Sequence, residues 1–253
     1  MSSSTIWITG ASSGIGEATA LALATPGAHL VLIARRADKL AQVAALAEAK
    51  GASVQVVTGD VRHVDALYTQ LSALDAPFSH PDVLINNAGL ALGLGKAHEA
   101  DGEAWRTMID TNIMAVVELT RRVLPGMVAR KRGHIVFVGS VAGTYPYPGG
   151  NVYGATKSFI EQFALNLRAD LLGTALRVTS LAPGAVNTEF SSVRFGGDTA
   201  KADAVYQGYQ PLGAADIAEC IRWVLSVPAH MNVNTLEVMP TAQAFGPFAF
   251  ARD

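Results

Sequence analysis

Cysteine is nearly absent: the 253-residue chain has one, Cys220. A single thiol excludes an intrachain disulfide and a cysteine-built metal cluster. Its surroundings, Ile217-Ala218-Glu219-Cys220-Ile221, read as a helix core position. Charge is also scarce. Charged residues make up 16% of the chain and the net charge is −2, so no broad polyanion-binding face is implied and no nucleic-acid partner is expected. No apolar run approaches the ~20 residues of a membrane span. Met1-Ser2-Ser3-Ser4 leads directly into a β-branched run, without a basic n-region or long apolar h-region. These absences predict a soluble protein of the cytoplasm with no membrane partner. What is plentiful is hydrophobic surface: half of the residues are apolar, enough for one large domain with a deep core.

Apolar runs alternate with helical patterns along the whole chain. Strand-like stretches are Thr5–Thr9, His29–Ala34, Ser53–Thr58, Asp82–Ile85, Ile135–Val138, Arg177–Leu181 and Val233–Val238. Between them, 17–25, 37–50, 63–76, 102–130, 151–172 and 214–227 read as helices. No linker, repeat or low-complexity block interrupts the series. It predicts a single domain over 1–253, an α/β fold with a Rossmann-type, doubly wound parallel sheet. Ligands of such sheets bind at the carboxyl ends of the strands, near the switch in strand order.

The chemistry-bearing residues fall at those ends. Gly10-Ala11-Ser12-Ser13-Gly14-Ile15-Gly16 joins the first strand to the first helix. Glycines there let the backbone approach a dinucleotide diphosphate, and free N–H groups with the helix dipole hold the anion. Arg35-Arg36 ends the second strand. A pair of arginines suits a ribose 2′-phosphate, where an acidic residue would suit a 2′-hydroxyl; a solvated pair is the alternative. Asp60 and Val61 follow the third strand, placed either to meet an adenine or, for Asp60, to cap the next helix. Asn87-Ala88-Gly89 ends the fourth and allows close passage of a cofactor. Ser140 ends the fifth. Tyr153 and Lys157 lie one turn apart on one helix face, where an ammonium would lower the phenol's pKa from ~10. Tyr145-Pro146-Tyr147-Pro148-Gly149-Gly150 either walls a pocket or turns the chain. Asn112 sits inside a helical stretch that it does not favour, either solvent-facing or at a bend.

Thr9-Gly10-Ala11-Ser12-Ser13-Gly14-Ile15-Gly16, Asn86-Asn87-Ala88-Gly89, Ser140, Tyr153-x-x-x-Lys157 and Pro183-Gly184 stand in one order and spacing. In these motifs the chain resembles the short-chain dehydrogenase/reductase family over essentially its full length. The resemblance implies a catalytic tetrad. Tyr153 would be the acid/base, Ser140 the donor to the carbonyl oxygen, and Lys157 the activator of Tyr153 and a nicotinamide-ribose ligand. Asn112 would hold a water linking Lys157 to solvent. Pro183, Gly184, Val186 and Thr188 would join the cofactor-binding set. One position departs from the family habit: Ala115 stands three residues after Asn112, where glycine is common.

A closer likeness covers the second half. Leu90-Ala91-Leu92-Gly93, Gly149-Gly150-Asn151-Val152-Tyr153, Thr188-Glu189-Phe190-Ser191-x-Val193-Arg194-Phe195 and Asn234-Thr235-Leu236-Glu237-Val238-Met239-Pro240 are similar to bacterial NADP-dependent 3-hydroxy acid dehydrogenases. That likeness implies NADP(H) as cofactor and a small 3-hydroxy acid, or its semialdehyde or keto acid, as substrate. Another carbonyl such as sulfoacetaldehyde and a non-catalytic NADP-binding regulator are the alternatives. A long segment, 187–213, is expected to act as a substrate lid. Arg194 within it either binds the substrate anion or pairs with Glu189 or Asp198. Apolar residues on several faces of 102–130 and 151–172, Ile113, Val117, Phe159, Phe163 and Leu167 among them, predict a homotetramer. The apolar Phe245–Phe250 tail offers a second contact.

Overall fold

The computed structural model describes residues 4–245. The Met1–Ser3 start and residues 246–250 of the apolar tail therefore lie outside the described residues. In chain order the elements are β1 (Thr5–Thr9), α1 (Gly14–Leu23), β2 (His29–Ala34), α2 (Ala37–Glu48), β3 (Ser53–Thr58), α3 (Val64–Ser72) and β4 (Val83–Asn86). They continue with α4 (Gly102–Ile109), α5 (Ala115–Ala129), β5 (His134–Val138), α6 (Asn151–Asp170), β6 (Arg177–Pro183) and β7 (Val186–Asn187). The last are α7 (Glu189–Arg194), α8 (Thr199–Ala204), β8 (Leu212–Gly213), α9 (Ala214–Ser226) and β9 (Thr235–Val238).

Seven strands form one parallel sheet in the order β3-β2-β1-β4-β5-β6-β9. The α/β, doubly wound reading of the sequence is the observed architecture. Strand side chains alternate between two cores, as the pleat requires. Ile6, Ile8, Leu30 and Leu32 face one side and pack with Leu40, Val43, Ile217 and Ile221 from α2 and α9. Trp7, Val31, Ile33, Leu84, Ile135 and Phe137 face the other and pack with Leu67, Leu119, Val123 and Ile160 from α3, α5 and α6. Trp7 Nε1 is not left dry: it donates to the Phe78 carbonyl at 2.8 Å. Cys220 is partly buried on α9 against the first core, so the lone thiol is structural packing. Among the described residues no helix is long and apolar enough to cross a membrane.

The strand order reverses between β1 and β4, and their carboxyl ends are laced together. Thr9 Oγ1 accepts from the Asn87 and Ala88 amides at 3.0 Å each. Asn87 Nδ2 donates to the Thr9 carbonyl at 2.9 Å. This fixes the two chain exits that border the switch point.

One sequence expectation is corrected here. Residues 102–130 are not one α-helix. A π turn at Asp110–Met114 separates α4 from α5. It is stabilised where Asn112 turns inward and holds the Leu90 backbone from both sides. Residues 187–213 form the long segment that the sequence set apart. They carry α7 and α8, and β7 pairs in parallel with β8 to tie the segment's ends together.

Candidate active site

The glycine-rich turn after β1 is shaped by contacts that leave no room for side chains. A Cβ at Gly16 would lie 2.3 Å from the Gly10 carbonyl oxygen, and Gly10 itself has φ +68°. The first turn of α1 is thus pressed against the turn, and the start of a helix favours an anion in the space above β1. That space belongs to a cavity of about 620 Å³ running along the strand ends. Gly10, Ser12, Ser13, Gly14, Ile15, Arg35, Arg36, Asp60, Val61, Asn87, Ala88 and Gly89 line one part of it. Ser140, Tyr153, Lys157, Pro183, Gly184, Val186, Thr188 and Arg194 line the other. Of the residues picked from sequence, only Gly16 and Asn112 stay off the wall. Gly16 lies beneath the turn, and Asn112 is buried behind Leu90.

At the far end, Arg36 is held across the turn. Its Nη2 donates to Ser13 Oγ at 2.7 Å and to Ser12 Oγ at 3.2 Å, and pairs with Glu189 Oε2 at 2.9 Å. Arg35 beside it is exposed. Asp60 does not cap α3, whose N-cap is His63. Its carboxylate is instead gripped by Arg62 (2.6 Å), and that hydrogen bond holds it below its usual range against the effect of burial. Arg62 is a lining residue that the sequence reading passed over.

At the near end, the backbone places the chemistry. Ser140 follows β5 and starts a 3-10 turn, Val141–Gly143; its Oγ accepts from the Ala142 amide at 3.1 Å. A Cβ at Gly143 would lie 2.8 Å from the Lys157 carbonyl carbon, so only glycine lets this turn rest on α6. That contact sets Ser140 beside Tyr153. The Lys157 ammonium is buried and donates to the Val138 carbonyl at 2.9 Å, 5.8 Å from the Tyr153 ring centroid. Asn112 Oδ1 accepts from the Leu90 amide at 2.9 Å, and Nδ2 donates to the Leu90 carbonyl and to Thr156 Oγ1 at 2.9 and 3.0 Å. Both amide hydrogens are used; one lone pair of Oδ1 remains.

The tyrosine's acidity runs opposite to expectation. Burial pushes Tyr153 up to about 12, and the Ser140 hydrogen bond and the Arg194 charge only partly oppose it. Burial likewise brings Lys157 down to about 8. The reason is geometric: Lys157 spends its hydrogen bond on Val138 and both groups are out of water, so desolvation outweighs attraction.

Arg194 is brought to the same place from α7. Its guanidinium carbon lies 5.0 Å from the Tyr153 ring centroid, 5.6 Å from that of Tyr147 and 5.7 Å from that of Phe190. Nη2 donates to the Tyr147 hydroxyl, while the buried Nε has no partner among the described residues. Neither carboxylate offered as its mate is used: Glu189 pairs with Arg36, and Asp198 with Lys201 at 3.2 Å. The Arg194 carbonyl accepts from the Gly93 amide at 3.0 Å, which docks α7 on the loop after β4. Tyr147 and Phe190 complete the wall; the proline- and glycine-rich stretch around Tyr147 and the aromatic content of 187–213 had marked their neighbourhoods.

Residues 4–196 match the short chain dehydrogenase family model. The chain belongs to the short chain dehydrogenase family. Within it, the chain is 49% identical over 248 residues to the NADP-dependent 3-hydroxy acid dehydrogenase YdfG of Salmonella typhi, covering 98% of this chain and 99% of that protein. It is 48% identical over 251 residues to sulfoacetaldehyde reductase 2 of Chromohalobacter salexigens, covering 98% of each. Among solved structures, the closed form of serine dehydrogenase complexed with NADP+ superposes with a TM-score of 0.94 at 46% identity, covering 98% of this chain and all of that one. The site described above lies at the strand-order switch of this chain's sheet.

Proposed function

We propose that this protein moves a hydride between NADP(H) and a small 3-hydroxy acid or the corresponding semialdehyde or keto acid. The observation that carries the substrate class is Arg194: a guanidinium inside the cavity, over the Tyr153 ring, with a buried Nε–H that no group among the described residues uses. A buried donor without a partner is costly, and a carboxylate from a ligand satisfies it. The relatives named for NADP and 3-hydroxy acids support the same reading.

The cofactor's fit is judged on the turn. The glycine contacts leave a cradle at a helix start, which suits a diphosphate, and Arg35 and Arg36 suit a 2′-phosphate. Asp60 and Val61 would meet the adenine; Asn87, Ala88 and Gly89 would flank the adenosine side. Pro183, Gly184, Val186 and Thr188 would border the nicotinamide, and Tyr153 and Lys157 its ribose. When bound, NADP(H) supplies or accepts the hydride.

The chain's own residues then manage the proton and the charge. Tyr153 is neutral below about pH 12 in the described state, so its hydroxyl is a held proton for the carbonyl oxygen in the reducing direction. Ser140 donates to the same oxygen and positions it. Lys157 relays the proton back to the phenol, and Asn112 offers its last lone pair to a water on that path. Arg194 holds the substrate carboxylate, and α7 and α8 form a lid over it.

A second reading keeps the same machinery with sulfoacetaldehyde as substrate, since a guanidinium also pairs with a sulfonate; the reductase relative favours it. Measuring NADPH and NADH oxidation against malonate semialdehyde, sulfoacetaldehyde and a neutral aldehyde separates the readings. Preference for the carboxylate with NADPH supports the first. Preference for the neutral aldehyde overturns it.

The proposed assembly is a cytoplasmic homotetramer. Met114, Phe159 and Leu165 on the π turn and α6 are 48%, 40% and 39% exposed in the single chain, apolar area that a helix-to-helix contact between copies would cover. Light scattering at micromolar concentration tests it; a monomer refutes it.

A further inference from the structure

Arg36 Nη2 carries two hydrogens and faces three acceptors: Ser12 Oγ at 3.2 Å, Ser13 Oγ at 2.7 Å and Glu189 Oε2 at 2.9 Å. Of these only Glu189 is an anion. It is the first residue of α7, so the carboxylate reaches from the lid across the glycine turn to the end of β2. Thr188, the N-cap of α7, sits on the turn itself: a Cβ at Gly14 would be 3.3 Å from Thr188 Cβ. Burial pushes the Glu189 carboxyl up, but hydrogen bonds from Arg36 and Ser13 and the charges of Arg36 and Lys39 outweigh it, and the group stays ionised at neutral pH.

We propose that Glu189 is an internal competitor for the ribose 2′-phosphate at Arg36, a residue that moderates the preference for NADP(H) over NAD(H). This rests on the reading of Arg35 and Arg36 as the 2′-phosphate seat. A phosphate with about −1.5 to −2 charge cannot share Nη2 with a carboxylate without repulsion. It must displace Glu189, and the protein loses an ion pair each time NADP(H) binds. A neutral 2′-hydroxyl makes no such demand and can donate to the carboxylate. Glu189 therefore opposes the cofactor that carries the 2′-phosphate more than the one that does not. The displaced carboxylate keeps a place at the amino end of α7, where the helix dipole and Ser13 still favour it.

The test is equilibrium binding of NADP+ and NAD+ by titration calorimetry to the wild-type protein and to Glu189→Gln, Glu189→Ala and Arg36→Ala. The pair is 44% and 54% exposed at its two side chains, so its effect is that of a surface ion pair, about two- to fivefold in affinity. Glu189→Gln and Glu189→Ala are expected to raise the NADP+ to NAD+ affinity ratio by about that factor, and Arg36→Ala to lower it. A side chain that merely caps or stiffens α7 would weaken both cofactors together and leave the ratio unchanged. An unchanged or lowered ratio in both Glu189 variants, with Arg36→Ala still lowering it, overturns the role of Glu189 and leaves the cofactor seat standing. No change in Arg36→Ala overturns the seat at Arg36, and the competition with it.

Discussion

Replacing Arg194 by leucine should cost this protein its acidic substrates and little else. The guanidinium has one nitrogen on the Tyr147 hydroxyl and leaves Nε without a partner among the described residues, both in a wall of three aromatic rings. A carboxylate entering there gains charge-assisted hydrogen bonds worth roughly 1.5–3 kcal/mol each relative to solvent. At about 1.4 kcal/mol per factor of ten, losing one such bond raises KM roughly tenfold to 150-fold. Leucine remains apolar against Tyr147, Tyr153 and Phe190, so the wall persists. The bond is made equally in ground and transition states, so kcat should change little. The assay is steady-state NADPH oxidation with a small semialdehyde and with a neutral aldehyde of similar size. Arg194→Lys should recover only part of the affinity, because an ammonium lacks the paired donors. Equal losses on the charged and neutral substrates would show that Arg194 orders the lid. Unchanged KM on both would place the anion elsewhere.

Two further outcomes test the site and its scaffold. Tyr153→Phe should abolish turnover while leaving NADPH binding, read by fluorescence titration, close to wild type; Lys157→Ala should impair both, and substantial turnover in Tyr153→Phe would refute the acid/base assignment. His134 predicts acid sensitivity of the fold. Burial, aided by the nearby Arg177 charge, pushes its imidazole down to about 3, and Nε2 meets Thr179 Oγ1 at 2.9 Å. The unfolded chain's imidazole takes a proton near pH ~6.5 that the folded one refuses, so stability is complete above that pH and falls as the pH drops toward 3. At pH 5 the loss is about 2 kcal/mol. Urea unfolding at pH 7 and pH 5 should show it in the wild type and not in His134→Gln; equal pH dependence in both proteins would assign the acid sensitivity to other groups.

The fold and the cofactor half of the site were legible because their signals are local. A glycine turn between strand and helix, or an apolar run closing on Asn86-Asn87, depends on nearest neighbours, and the strand order places all of them at one edge. What sequence could not give was direction. Tyr153 and Lys157 do share a helix face, yet the ammonium turns to the Val138 carbonyl and the phenol is desolvated, so the shift has the opposite sign. Sequence spacing carries no dielectric. The π turn at Asp110–Met114 was hidden for a related reason: Asn112 gains three hydrogen bonds from Leu90 and Thr156, residues far along the chain. The partners of Arg194 and Arg36 were equally non-local. Glu189 and Asp198 lie close to Arg194 in sequence, but the short helix α7 points one toward Arg36, and Lys201 claims the other.

The contact between the Gly93 amide and the Arg194 carbonyl is made by main chain alone. It therefore survives any exchange of the side chain at 194 except one that unfolds α7. The main-chain fastening of α7 and the group it presents to the cavity are separate parts. A descendant of this chain can trade its cationic tooth for a hydroxyl, an amide or a methyl group and keep α7 docked. Taste can drift while the wall stays in place.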